Sequence, residues 1–131
     1  MPSFEVRTTV HSQLVDVTSQ VSRIVADSGV SRGVCVVFVP HTTAGVTINE
    51  NADPDVQRDM LSALEKVVPW RGDYHHGEGN AAAHLKASLM GSSVTVLVES
   101  GRLALGTWQG IYFCEFDGPR QRRVRVQVLN G

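Results

Sequence analysis

Ile111-Tyr112-Phe113-Cys114-Glu115-Phe116-Asp117-Gly118-Pro119-Arg120-Gln121-Arg122-Arg123-Val124-Arg125-Val126-Gln127-Val128-Leu129 decides the fold class. Ile111 to Phe116 reads as one strand and Arg123 to Leu129 as another, with Asp117-Gly118-Pro119 turning between them. Ser93 to Val98 is a third strand-like run upstream. At the opposite end of the chain, Phe4 to Val10 alternates apolar and polar residues as a half-buried strand does. Valine-rich Gly33 to Val39 reads as a buried strand, and Val46-Thr47-Ile48 as a short one. Helices fall between these runs. Strands at both ends with helices between them predict an α+β fold with largely antiparallel pairing, not a regular βαβ winding.

Three helices are predicted. Thr18 is placed to cap the first, whose apolar positions are Val21, Ile24 and Val25, with Gly29 near its end. Asp53-Pro54 starts the second, with Asp as N-cap and Pro at the first helical position. Its Val56, Met60, Leu64 and Val67 recur at helical spacing, which predicts one face packed inward. Asn80 to Met90 reads as the third helix, with Leu85, Leu89 and Met90 apolar and Gly91 at its end. Pro69 to Gly79 is a loop.

The 131 residues fit one domain with a single core, and 42% hydrophobic residues make disorder implausible. A net charge of −1 provides no basic footprint for nucleic acid or anionic lipid. No apolar run approaches a membrane span, and the N-terminus lacks a signal pattern, so a cytoplasmic location is expected. Cys35 and Cys114 each sit in an apolar run, which suits buried reduced thiols.

Three of the five histidines carry the chemistry. His41 lies in Pro40-His41-Thr42-Thr43-Ala44-Gly45, His76 in His76-Gly77-Glu78-Gly79-Asn80, and His84 one helical turn past Asn80. Neutral imidazole is the commonest zinc ligand and the usual acid/base at neutral pH. Spacing of four places His76, Asn80 and His84 along one helical face, with His41 as a possible third ligand from another loop. The competing reading is that these rings only bond backbone carbonyls. His75 points opposite to His76 on an extended loop, and His11 is expected at the surface.

Four more features could line a site. Glu50, among Asn49-Glu50-Asn51-Ala52-Asp53, could help hold Mg²⁺ or orient a ligating histidine, whereas Asp53 and Asp59 have ordinary helical roles. Gly106-Thr107-Trp108-Gln109-Gly110 interrupts what would otherwise be one long strand. It is either a bulge or a place where Trp108 stacks on a flat ring while Gln109 bonds its edge. Arg120, Arg122, Arg123 and Arg125 could hold phosphate or form a solvated edge that deters strand-to-strand aggregation, and Arg123 and Arg125 would share a face.

These motifs in this order resemble the YjbQ-like family, whose members are commonly described as secondary thiamine-phosphate synthases. The matching segments are His41-Thr42-Thr43-Ala44, Asn49-Glu50-Asn51, Asp53-Pro54, Tyr74-His75-His76, Ala83-His84-Leu85-Lys86, Gly106-Thr107-Trp108-Gln109-Gly110 and Glu115-Phe116-Asp117-Gly118-Pro119-Arg120. The likeness runs nearly end to end. It implies a single α+β domain in a homotrimer, with the site near the subunit interface. It implies that His41, His76 and His84 gather around zinc or a similar divalent cation, and its Tyr-any-His pattern selects His76 over His75. Glu50, Asn80, Trp108, Gln109 and Glu115 would then line or support the site.

Three functions follow. In the first, a transferase joins hydroxymethylpyrimidine diphosphate to hydroxyethylthiazole phosphate. There Trp108 stacks on the pyrimidine, and arginines such as Arg120 hold diphosphate. In the second, a metal-dependent hydrolase acts on a small metabolite, with His41 at the metal and Glu50 as base. In the third, a trimeric module binds metal or metabolite without turnover. Three histidines around a cation suit water activation better than Mg²⁺ chemistry, because Mg²⁺ prefers oxygen ligands.

Overall fold

In the computed structural model, which describes residues 2–131, strands and helices follow one another in the mixed order the sequence predicts. The elements are β1 (Ser3–Arg7), β2 (Gln13–Asp16), α1 (Thr18–Ser28), β3 (Arg32–Phe38) and β4 (Ala44–Glu50). Then come α2 (Pro54–Val67), α3 (Ala81–Met90), β5 (Ser93–Glu99), β6 (Arg102–Leu103), β7 (Gln109–Glu115) and β8 (Gln121–Asn130). They form a five-stranded sheet in the order β1-β8-β3-β5-β6 and a three-stranded sheet in the order β2-β7-β4. Every ladder is antiparallel. The chain is therefore a single-domain α+β fold.

The Asp117-Gly118-Pro119 turn connects β7 and β8 as expected, and it leads from the smaller sheet to the larger. The Gly106–Gly110 segment is not a bulge inside one strand. It carries the chain from β6 in the larger sheet to β7 in the smaller one.

The β7 strand is buried along almost its whole length, so both of its faces are covered. Ile111 and Phe113 join the main core, with Val21 and Val25 of α1, Cys35 and Val37 of β3, and Val124 and Val126 of β8. Cys114, with Phe116 just past β7, joins a second cluster with Ala83 and Ala87 of α3, against Leu61, Leu64, Trp70 and Met90. Each fully buried Val or Phe contributes roughly 1.5–3 kcal/mol relative to exposure. Both cysteines are free and buried, and burial pushes their thiols up to about 11 and about 12.

The helix ends follow local chemistry, with one exchange of roles. Asp53 caps α2 by accepting from the Asp55 amide at 2.9 Å, and Pro54 opens the helix as expected. Gly29 ends α1 at φ 72°, the left-handed conformation that glycine adopts freely. Thr18, however, is the first residue of α1 and makes no side-chain cap bond. Asp16 holds the turn instead, accepting from the Thr18 amide at 2.9 Å and its hydroxyl at 2.6 Å. The Thr18 hydroxyl accepts in turn from the Ile111 amide, which ties α1 to β7.

Two helices bury less of their apolar face than their spacing predicts. In α2 no residue is fully buried, and Val67 is 71% exposed. In α3 the buried residues are Ala82, Ala83, Lys86 and Ala87, while Leu85 and Leu89 face outward. The small alanines let α3 lie close to β4. A Cβ on Gly45 would come within 2.6 Å of the Gly91 carbonyl oxygen, so the helix end and strand meet only through that glycine.

Candidate functional site

The His76–His84 pair stands at the centre of the site. α3 fixes His84 one turn in from its N-terminus, and the loop before it delivers His76. Their ring centres lie 5.1 Å apart at an interplanar angle of 78°. Glu78 Oε1 lies 3.8 Å from His76 Nε2. The pair opens into a cleft of about 400 Å³ lined by Asp73, Tyr74, His75, His76, Ala81, His84 and Leu85. His75 thus shares the wall, but His76 alone packs against His84 among the ring pairs.

His84 also lines a second cleft, of about 430 Å³, whose wall includes His41, Thr42, Ala87, Ser88 and Ser92. His41 is otherwise engaged. Its Nε2 accepts the Arg123 amide at 2.9 Å. Burial and the nearby Arg122 guanidinium hold its pKa below the ordinary imidazole value.

Whether these rings suit a metal can be tested on their geometry. Two imidazoles on one tetrahedral zinc, with Zn–N of about 2.0–2.1 Å, have ring centres roughly 5 Å apart. His76 and His84 meet that spacing, which an edge-to-face ring pair also has. His41 does not fit as placed. A neutral imidazole has one lone pair, and that of His41 is taken by the Arg123 amide. Among the described residues, no three His, Cys, Asp or Glu side chains converge on a point that could hold one ion.

A polar cluster forms at the N-cap of α3. Asp117 Oδ2 accepts from Asn80 Nδ2 at 2.9 Å and from the Arg120 guanidinium at 3.1 Å. Arg120 Nε donates to the Asp117 carbonyl at 2.7 Å, so Arg120 is tied at two points. Asn80 Oδ1 is buried and has no partner, although a buried acceptor of this kind normally finds one. Asn80 is the N-cap residue of α3, immediately before Ala81, which lines the histidine cleft. His11 is exposed, as expected, and there stacks edge-on against Trp70 at 4.3 Å and lies 4.0 Å from Asp117.

Glu115 supports this end but does not line it, since it is fully buried. It pairs with Arg122 and accepts from Thr8 Oγ1 at 2.8 Å and from the Asp117 amide at 3.1 Å. Burial alone would push its carboxyl up, but the bonds from Arg122, Thr8 and Asp117 outweigh it and hold the pKa below the ordinary value. Arg122 also donates to the Thr43 hydroxyl at 2.9 Å, next to the His41 loop. Arg122 therefore points inward, unlike Arg123 and Arg125, which share the outer face of β8 as expected.

The remaining expected site residues lie elsewhere. Glu50 ends β4 and pairs in register with Gln109, whereas Ala44 at the other end pairs with Glu115. At about 3.3 Å per residue, six steps separate Glu50 from the His41 end by ~20 Å. Glu50 is therefore not beside the His41 loop of the same chain. Its carboxylate instead accepts from the Asp53 amide at 3.2 Å, and its carbonyl accepts from Gln57, so it braces the start of α2. Gln109 is used locally too, its Oε1 accepting from the Gly106 amide at 2.8 Å across the turn. Trp108 is 63% exposed at the same end.

Sequence reasoning missed the Asp117–Asn80–Arg120 cluster and the His41–Arg123 bond. The Asp-Gly-Pro turn signalled a bend, and nothing local marked Asp117 as the acceptor joining two distant segments.

Comparison with known proteins agrees with this architecture. The family model described as UPF0047 protein YjbQ-like matches residues 2–131. The UPF0047 protein YugU of Bacillus subtilis is 48% identical over 130 residues, covering 98% of each chain. A UPF0047 protein of Methanocaldococcus jannaschii is 45% identical over 126 residues, covering 96% of this chain and 91% of its own. A crystal structure of a YjbQ/UPF0047 family protein from Clostridium acetobutylicum superposes with a TM-score of 0.97 at 58% identity, covering 98% of this chain and all of that one. A Sulfolobus solfataricus protein described as of unknown function superposes at 0.96 with 35% identity, covering 99% and 96%.

Proposed function

The chain belongs to the YjbQ-like UPF0047 family, and from that membership and the histidine pair we propose a divalent-cation-dependent enzyme acting on a small phosphorylated metabolite. The observation that carries the proposal is the 5.1 Å spacing of His76 and His84 at the junction of two clefts. Zinc or a similar cation is the proposed cofactor. It would offset developing charge on a phosphate or diphosphate oxygen. The chain's own groups there would do the holding. Arg120 offers a guanidinium half exposed beside Asp117, which can donate to phosphate oxygens.

The specific activity proposed is thiamine-phosphate synthesis. The C–O bond to diphosphate on the pyrimidine methylene breaks, a C–N bond to the thiazole nitrogen forms, and diphosphate leaves. A second reading, a binding module without turnover, is favoured by the distance of Glu50 from the histidines, which leaves them without the expected base. The proposed assembly is a homotrimer. Supporting it, besides the family resemblance, are outward apolar side chains on two surfaces: Leu85 and Leu89 on α3, and Phe38, Leu97 and Leu129 on the larger sheet.

Product analysis with zinc and with chelator tests the activity. Synthesis requires both half-substrates and releases diphosphate. Turnover of one half-substrate alone would replace the transferase with a hydrolase. No turnover together with stoichiometric zinc would leave the binding module. Light scattering giving a monomer mass at micromolar concentration would remove the trimer.

A further inference from the structure

We infer that His41 is a positioning residue that clasps the open end of the larger sheet, and that a cation held by His76 and His84 takes its remaining ligands from solvent or substrate. The second half rests on the metal reading above. The first half does not.

β3 pairs with β8 from Gly33 opposite Asn130 to Phe38 opposite Arg125, and there β3 ends. Two residues further along β8, Arg123 lies past the last β3 partner. His41, three residues beyond Phe38, fills the gap, its Nε2 accepting the Arg123 amide at 2.9 Å. A side chain thus continues the strand pairing after the backbone has turned away, which keeps an otherwise unpaired amide satisfied.

This bond restricts what else the ring can do. With Nε2 as acceptor, the neutral ring carries its proton on Nδ1 and has no lone pair left for a metal. Ligation through Nε2 would require release of the amide. Ligation through Nδ1 with the amide retained would require an imidazolate. The neighbouring segment is fixed as well. Thr43 accepts from Arg122 through its hydroxyl, and its carbonyl accepts the Phe116 amide at 3.2 Å. His41 and Thr43 therefore pin the loop at two points, and that loop forms one wall of the cleft it shares with His84.

Three variants test the inference: His41→Gln, which offers an amide oxygen to Arg123 without an imidazole, His41→Ala and His84→Ala. Zinc is titrated into each, and exchange of the Arg123 amide is followed by NMR. The expectation is that His41→Gln binds zinc within about threefold of the parent, as a substitution away from the ligands should. His84→Ala should lose at least the roughly 10- to 100-fold that removal of even an outer partner costs. The Arg123 amide should stay protected in His41→Gln and exchange faster in His41→Ala. In the parent, His41 should remain the Nδ1–H tautomer with and without zinc. Equal zinc loss in His41→Gln and His84→Ala, or a tautomer change on adding zinc, would overturn the inference. If the parent binds no zinc, the metal reading fails while Arg123 exchange still decides the clasp: unchanged exchange in His41→Ala would overturn it.

Discussion

The two ends of the smaller sheet differ in a way that the motif order hides. One end holds Ala44 opposite Glu115, with His41, Arg122, Asp117 and Asn80 gathered nearby. The other holds Glu50 opposite Gln109, with Trp108 and the start of α2. The first end is tied by charged groups from distant segments and opens into clefts. At the second end, Glu50, Gln109 and Asp53 bond to near neighbours and serve turns and caps. Residues that read together along the chain are separated by the length of a strand.

The largest effect expected from this comparison is on Glu115. Glu115→Ala leaves Arg122 buried without its partner, and breaking a buried pair from one side costs about 3–5 kcal/mol. Urea unfolding of parent and variant measures it, and a loss below about 1 kcal/mol would reduce the pair to surface-like strength. The same carboxylate sets a pH dependence. Its folded pKa lies below the ordinary 4.5, so the unfolded chain binds the proton first. Its contribution is therefore present above that ordinary value and is lost as pH falls through the depressed one. The midpoint of Glu115→Gln should fall less steeply between neutral pH and pH 3 than that of the parent.

Next comes the contrast between histidine and carboxylate. His84→Ala should weaken zinc binding by roughly 10- to 100-fold or more, and His75→Ala by no more than about threefold. Glu50→Gln should leave zinc affinity unchanged, because Glu50 stands at the far end of β4. If Glu50→Gln weakens zinc as much as His84→Ala, the two ends meet, and within one chain they cannot.

A smaller effect is expected at the α2 cap. Asp53→Ala removes the bond to the Asp55 amide and should cost about 0.5–2 kcal/mol. Glu50→Gln keeps an oxygen for the Asp53 amide, so its cost in thermal unfolding should be smaller than that of Asp53→Ala. The reverse order would give Glu50 a role beyond bracing the helix.

Much of this was legible in the sequence where the signal was local. Asp53-Pro54 and Gly29 mark helix ends through the chemistry of their own residues, and valine-rich runs mark β3, β5 and β8. The β2 strand escaped because four residues, Gln13–Asp16, are too few to show alternation. The β4 strand is longer than Val46 to Ile48 suggested, because Ala44-Gly45 resembles a loop and Asn49-Glu50 looks polar. Periodicity located α3 and misjudged its inner face, where alanines fit beneath the turn at Gly91 better than leucines would. Residue types found the histidines. Their engagements were not legible, since the His41–Arg123 bond spans 82 residues and depends on where β3 stops. Sequence order also placed Glu50 beside His41, where the extended backbone between them sets the two apart.

The smallest expected effect belongs to Trp108, and it bears most directly on the comparison. Its indole is 63% exposed, and no aromatic partner engages it among the described residues. Trp108→Ala should therefore change stability by no more than about 0.5 kcal/mol. Zinc affinity should stay within about threefold, since the residue lies beside Gln109 at the end opposite the histidines. Calorimetric titration of zinc alongside a thermal melt measures both. A roughly tenfold loss of zinc affinity with an unchanged melt, about 1.4 kcal/mol in binding alone, could not arise within one chain across the length of β4. It would require the Trp108 end of one copy to lie against the histidine cleft of another. The same titration at protein concentrations spanning the assembly equilibrium would then show affinity rising with association in the parent and not in Trp108→Ala.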